Sequence, residues 1–127
     1  MMKPCITYQL TIQVRQDSTI QIGKLGAFHF PAGYYVYTGS AKRNLEARIQ
    51  RHLSKEKRLK WHIDYLLHAP EVEVIKVGRW TESECEVNQQ VHGNVLIPRF
   101  GATDCHSGCG SHLKFLSKLD APLVPTP

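Results

Sequence analysis

Tyr34-Tyr35-Val36-Tyr37-Thr38-Gly39-Ser40-Ala41-Lys42-Arg43-Asn44-Leu45-Glu46-Ala47-Arg48-Ile49-Gln50-Arg51-His52-Leu53 reads as a strand, a tight glycine turn and a basic helix. Tyr34 to Tyr37 is an aromatic and β-branched run of the kind that fills a buried strand. Gly39-Ser40 predicts its end, and Asn44 is placed as the N-cap of the helix that follows. Leu45, Ile49 and Leu53 recur every fourth residue and predict one apolar helix face. Arg48 and His52 are spaced alike and share a second face. A strand that ends in a tyrosine is thus followed closely by an arginine and a histidine. Phosphodiester chemistry uses such groups, a phenol for proton transfer and a guanidinium for phosphate oxygens.

Upstream, Ile6-Thr7-Tyr8-Gln9-Leu10-Thr11-Ile12-Gln13-Val14 alternates, with Tyr8, Leu10, Ile12 and Val14 on one face, and predicts a half-buried strand. Asp17-Ser18 predicts a turn, and Thr19 to Gly23 with Leu25 to Phe30 predicts a hairpin that returns through Pro31-Ala32-Gly33. Three or four antiparallel strands therefore precede the first helix. Downstream, Trp61 to His68 predicts a helix with Ile63, Leu66 and Leu67 inward, closed by Pro70. Val72 to Val77 predicts a strand, and Thr81 to Val91 a second main helix that stops at Gly93. Val95 to Ile97 is a short extended piece, and Leu113 to Leu116 returns to the core. The expected fold is α+β, a small central antiparallel sheet flanked by helices, in one domain over residues 1–120 with a frayed tail at 121–127.

Of 127 residues, 42% are hydrophobic and 21% charged, an ordinary globular balance. No apolar run approaches the roughly 20 residues of a membrane span, and the first residues lack the apolar core of a signal peptide. We therefore expect a cytoplasmic protein that does not engage a membrane. The formal charge of +5 is unevenly spread. Residues 42–60 carry Lys42, Arg43, Arg48, Arg51, Lys55, Lys57, Arg58 and Lys60, against only Glu46 and Glu56. Such a stretch attracts phosphate backbones and weakens its hold as salt rises; the plain alternative is a solvated helix face. Lys42, Arg43, Arg51, Lys55, Lys57 and Arg58 are the candidate nucleic-acid contacts.

Tyr37-Thr38-Gly39-Ser40-Ala41, followed by Leu45, Arg48 and Arg51-His52, resembles the second half of the GIY-YIG nuclease signature, which homing endonucleases and the excinuclease C subunit carry. Phe30-Pro31-Ala32-Gly33-Tyr34-Tyr35, Trp61-His62-Ile63-Asp64-Tyr65-Leu66, Glu84-Cys85-Glu86, and Phe100 to Cys105 leading to Ser111-His112-Leu113 resemble an uncharacterised branch of that superfamily, a domain of unknown function sometimes fused to DNA glycosylases. Ile6-Thr7-Tyr8 stands where the first half would be. Two departures follow: Ile6 replaces the glycine, and Tyr8 lies 29 residues before Tyr37, a gap that an inserted hairpin over residues 17–33 would explain.

The resemblance implies a metal-dependent endonuclease that hydrolyses phosphodiester bonds in nucleic acid, DNA foremost, in a structure-selective or repair role. It implies Tyr8 as base with Tyr37 as positioning partner, Arg48 on the scissile phosphate, His52 in support, and Mg²⁺ or Mn²⁺ as cofactor. The metal carboxylate would be Glu86, with Glu84 the second choice; both also fit capping boxes, Ser83 to Glu86 and Thr81 to Glu84, which would make either one a helix cap. Tyr35 shares the sheet face of Tyr37 and is open to the same work. Cys105, Cys109 and His112 form a possible structural zinc set, set against reduced thiols. Asp104, His62 and Asp64 have no assigned role. The rival reading is a non-catalytic nucleic-acid-binding module that uses the basic 42–60 stretch. A larger repair protein is a conceivable partner, and the oligomeric state is open.

Overall fold

The computed structural model describes residues 4–41, 43–55, 58–100 and 111–118. Four strands form the central sheet: β1 (Thr7–Val14), β4 (Gly33–Ser40), β5 (Val72–Trp80) and β6 (Leu113–Lys118), in the order β5-β1-β4-β6 with every pair antiparallel. β2 (Ser18–Ile22) and β3 (Gly26–Phe30) make a separate two-stranded hairpin. The helices are α1 (Leu45–Leu53), α2 (His62–His68) and α3 (Glu84–Gln89). This is the expected α+β architecture. The tail at 121–127 lies outside the described residues. No helix among the described residues is long and apolar enough to cross a membrane.

The inserted hairpin behaves as anticipated. It leaves after β1 and returns before β4, and the Ala32 N–H donates to Asp17 Oδ1 at 2.7 Å to clip its ends together. Gly23 (φ 48°) and Gly26 (φ 127°) take positive φ in the tight connection between its strands, where a side chain would be strained. With the insertion folded aside, β1 and β4 pair directly, and Tyr8 faces Gly39 while Leu10 faces Tyr37. Opposed residues share a face, so Tyr8, Leu10, Ile12, Val14, Tyr35 and Tyr37 point the same way, and all six are buried. Ile6 does not disturb the ladder. Its N–H donates to Trp80 O and its carbonyl accepts from Ala41 N–H.

This apolar face is covered by α1, α2 and the hairpin, which supply Leu45, Ile49, Ile63, Leu66, Leu67, Ile22 and Phe30 to one cluster. Each such side chain contributes about 1.5–3 kcal/mol of transfer free energy when fully buried. α3 lies on the other face. Lys114 pairs with Val36 across the sheet and sends its ammonium to the Asn88 and Val91 carbonyls.

Four expectations need correction. First, β4 runs through Gly39 to Ser40, so no turn breaks it there; the ladder to β1 continues to Thr7–Ser40. Second, Asn44 precedes α1 in the left-handed conformation (φ 55°), and its side chain makes no capping bond. Third, Leu53 is 44% exposed and His52 takes the inward position. At 3.6 residues per turn, a position eight residues beyond Leu45 is rotated roughly 80° away from it, and one seven beyond only about 20°. Fourth, the Thr81 to Val91 helix is only Glu84–Gln89, and the 95–97 piece forms no strand; the bridge to β6 is made by the preceding residue, Asn94, with Phe115.

Candidate active site

The end of β4 gathers the residues of interest. Gly39 carries no side chain, and the Tyr8 ring lies across it; a Cβ built at Gly39 would sit 2.4 Å from Tyr8 Oη. From there Tyr8 Oη meets His52 Nε2 at 2.6 Å in a buried hydrogen bond. The ring centroids of Tyr8 and Tyr37 are 6.4 Å apart, and those of Tyr37 and His52 6.3 Å. Arg48 reaches back along α1 to donate to the Ser40 carbonyl at 2.9 Å, and its guanidinium lies 4.7 Å above the Trp61 ring. Four of the five residues first expected at the site, Tyr8, Tyr37, Arg48 and His52, are therefore adjacent.

The fifth is not among them. Ser83 caps α3 by accepting the Glu86 N–H at 3.3 Å, which leaves the Glu86 side chain exposed in the first turn. Glu84, two residues earlier, points inward. Its Oε1 lies 2.7 Å from His112 Nδ1, and Ser40 hydrogen-bonds to the carboxylate. The geometry thus reverses the preferred order of the two glutamates. The Ser83 capping box is real in its backbone half, and it is Glu86 that occupies it.

The electrostatics agree with a charged carboxylate among protonated phenols. Burial pushes the Tyr8 hydroxyl well above its usual range, opposed by Arg48 and reinforced by Glu84 and Asp64. Burial does the same to Tyr37. For Glu84, burial acts upward, but hydrogen bonds from His112 and Ser40 and the nearby Arg48 charge outweigh it and hold the carboxyl below the ordinary range. At neutral pH both phenols keep their protons and Glu84 is an anion.

Among the described residues, no group of three or more His, Cys, Asp or Glu is placed to hold a metal. A single ionised carboxylate does suit a hard cation that retains most of its water, as Mg²⁺ does. A carboxylate has about four lone-pair sites, and His112 and Ser40 engage two of them. Glu84 therefore fits such an ion, and Glu86 lies off the site. Of the zinc set, Cys105 and Cys109 are outside the described residues, and His112 is buried beside Glu84.

Several basic residues serve the fold. Arg51 forms a two-point ion pair with Asp64 at 2.9 and 3.0 Å. Lys55 Nζ donates to the carbonyls of Leu67, Ala69 and Val72 and so ties α1 to the end of α2 and the start of β5. Burial draws the Lys55 ammonium below its usual range. Lys55→Met keeps the stem and loses the three donors. It should cost about 1.5–3 kcal/mol, read as a fall in melting temperature. Arg43 and Arg58 are exposed; Lys42 and Lys57 lie outside the residues whose placement is described.

Tyr35 is a core residue. Its hydroxyl donates to Pro31 O at 2.7 Å, and its ring packs on Phe30 and Phe115. Sequence reasoning placed His112 only in the possible zinc set and left Ser40 and Trp61 without a site role. All three had a signal, since each belongs to a phrase of the resembling set, but what each touches follows only from the strand end and the helix packing.

A family model described as "Domain of unknown function DUF123" matches residues 7–124. No curated protein and no solved structure matches the chain.

Proposed function

The chain belongs to the DUF123 family, and we propose that it is a metal-dependent nuclease of the GIY-YIG type acting on nucleic acid, DNA foremost. The observation that carries the reading is the meeting of two phenols, an arginine, a histidine and an ionised carboxylate at the end of β4. These are the group types that phosphodiester hydrolysis calls on: proton transfer, phosphoryl charge stabilisation and a cation anchor. The likeness of Tyr37 to His52 to the nuclease signature supports it independently.

In this reading Arg48, steadied by Ser40 O and the Trp61 ring, binds the scissile phosphate and stabilises its developing charge. Tyr8 is protonated at rest and so cannot act as a standing phenolate. It takes a proton from the attacking water as its own proton passes to His52 Nε2, 2.6 Å away. Tyr37 packs beside Tyr8 and His52 and fixes their rings. Glu84 would hold Mg²⁺ or Mn²⁺, which supplies further charge stabilisation at the phosphoryl oxygens when bound. Lys60 and the exposed Arg43 and Arg58 offer phosphate contacts around the site.

One observation favours the second reading, a non-catalytic nucleic-acid-binding module: Tyr8 and Tyr37 are only 2% and 8% exposed. Labelled branched, single-stranded and duplex DNAs, incubated with Mg²⁺, Mn²⁺ or EDTA, separate the two. Cutting that needs the metal and falls on the order of 10²–10³-fold in Arg48→Ala supports the nuclease. Absence of cutting under every metal, with salt-sensitive binding that Arg48→Ala weakens, supports the module.

A further inference from the structure

The Trp61-His62-Ile63-Asp64 phrase contributes a buried carboxylate that the five site residues do not account for. Asp64 is fully buried, and it sits at the start of α2, one helix away from His52. Its two oxygens are used unequally. Oδ2 accepts from Arg51 and from the backbone N–H groups of Lys60 and Trp61, at 3.0, 2.9 and 2.8 Å. Oδ1 accepts only one of these bonds, from the other Arg51 nitrogen at 2.9 Å, and it is the oxygen that faces His52 Nδ1, at 3.9 Å. The His52 side chain is itself fully buried. Its opposite nitrogen, Nε2, is the one bonded to Tyr8.

We infer that Asp64 is a positioning residue for His52, holding the imidazole in the tautomer with its hydrogen on Nδ1 and so leaving the Nε2 lone pair to receive the Tyr8 proton. The physical basis is simple. A neutral imidazole carries one N–H, and a negative oxygen beside one ring nitrogen favours the hydrogen there. At 3.9 Å the pair is beyond hydrogen-bonding distance, so Asp64 acts through its field on the neutral ring, and more strongly on the imidazolium formed when Tyr8 gives up its proton. Burial alone would raise the Asp64 carboxyl; the Arg51 and backbone hydrogen bonds overcome this and keep it ionised. The Arg51 charge offsets part of the field. Arg48, Tyr8, Tyr37 and Glu84 are the other ionisable groups around this centre. The Trp61 ring, 5.9 Å from the imidazole, closes that side. The inference deepens the nuclease reading and rests on it for its effect on cleavage, though the tautomer can be read without it.

The test is imidazole ¹⁵N–¹H correlation spectroscopy of the full chain, with DNA cleavage measured beside it, for wild type, Asp64→Asn and Arg51→Gln. Wild type is expected to show the Nδ1–H tautomer. Asp64→Asn can turn an amide N–H toward Nδ1, so it shifts His52 toward the Nε2–H form and lowers cleavage about ten- to a hundred-fold. Arg51→Gln breaks the same ion pair but leaves the carboxylate beside Nδ1, so it keeps the tautomer. A wild-type His52 that carries its hydrogen on Nε2 overturns the inference, whatever the variants do. So does an unchanged tautomer in Asp64→Asn, which would leave Asp64 as the cap of α2 and the partner of Arg51 only. If wild type cuts no DNA while the tautomer shifts as expected, the nuclease reading fails and the positioning of His52 stands.

Discussion

Glu84→Gln is expected to lower metal-dependent cleavage on the order of 10²–10³-fold, the size of effect seen when one charge-stabilising group is removed from a reaction centre. Glu86→Gln is expected to leave it within about a factor of two, as for exposed substitutions generally. The two glutamates are two residues apart on a short helix and have the same chemistry, so the contrast isolates position. Glu84 is half-buried, lies 2.7 Å from His112 Nδ1 and is held ionised despite its burial. Glu86 is exposed, and its contribution to the fold is a backbone N–H to Ser83. The glutamine at position 84 keeps the volume and the hydrogen-bonding capacity but removes the charge, so circular dichroism and melting should change little. Cleavage assays across a range of Mg²⁺ concentrations check the result. Equal losses in the two variants would remove Glu84 from its proposed role.

Gly39→Ala is the second large effect, and it needs no residue of the chemistry to be touched. A methyl group at position 39 would lie 2.4 Å from Tyr8 Oη and 2.5 Å from its Cζ, so the ring must move. The ring is packed between the sheet, His52 and Tyr37, which leaves it little room. Overpacking of this kind costs about 1–3 kcal/mol, to be read as a fall in melting temperature. The larger consequence is geometric. A displaced Tyr8 loses its 2.6 Å bond to His52, and a misplacement near 1 Å at a reaction centre costs roughly 10²-fold in rate. Cleavage kinetics alongside melting of the same preparation separate the two effects. A variant that melts lower but cuts normally would show that Tyr8 does not need this seat.

Gly39 also shows how sequence and structure divide the explanation. The Tyr-x-Gly spacing draws the eye to position 39, and a glycine after a strand suggests a turn. The structure keeps Gly39 inside β4, and the reason for glycine lies 31 residues earlier in the chain, in a tyrosine on the neighbouring strand. His52 is similar. Spacing by fours assigned it to a polar face with Arg48, whereas the true helical period turns it inward beside Ile49, and Tyr8 supplies the partner that makes its burial tolerable.

Local pattern determined a good deal by itself. Alternation in residues 7–14, the aromatic run of 34–37, the inward Ile63, Leu66 and Leu67, and the hairpin inserted between β1 and β4 follow from periods of two and of 3.6 and from turn residues, all of which act over a few positions. They suffice for the α+β class and for setting Tyr37, Arg48 and His52 close together; Tyr8 came under suspicion only through the resemblance to the nuclease signature. Which of Glu84 and Glu86 enters the site, that Lys55 and Arg51 are occupied by carbonyls and by Asp64, and that Asp64 stands behind His52 were decided by tertiary structure. Each of these depends on where one helix sits against a strand or another helix. A step of two positions on α3 exchanges a solvated carboxylate for a half-buried one, and nothing within that helix records the angle at which it docks.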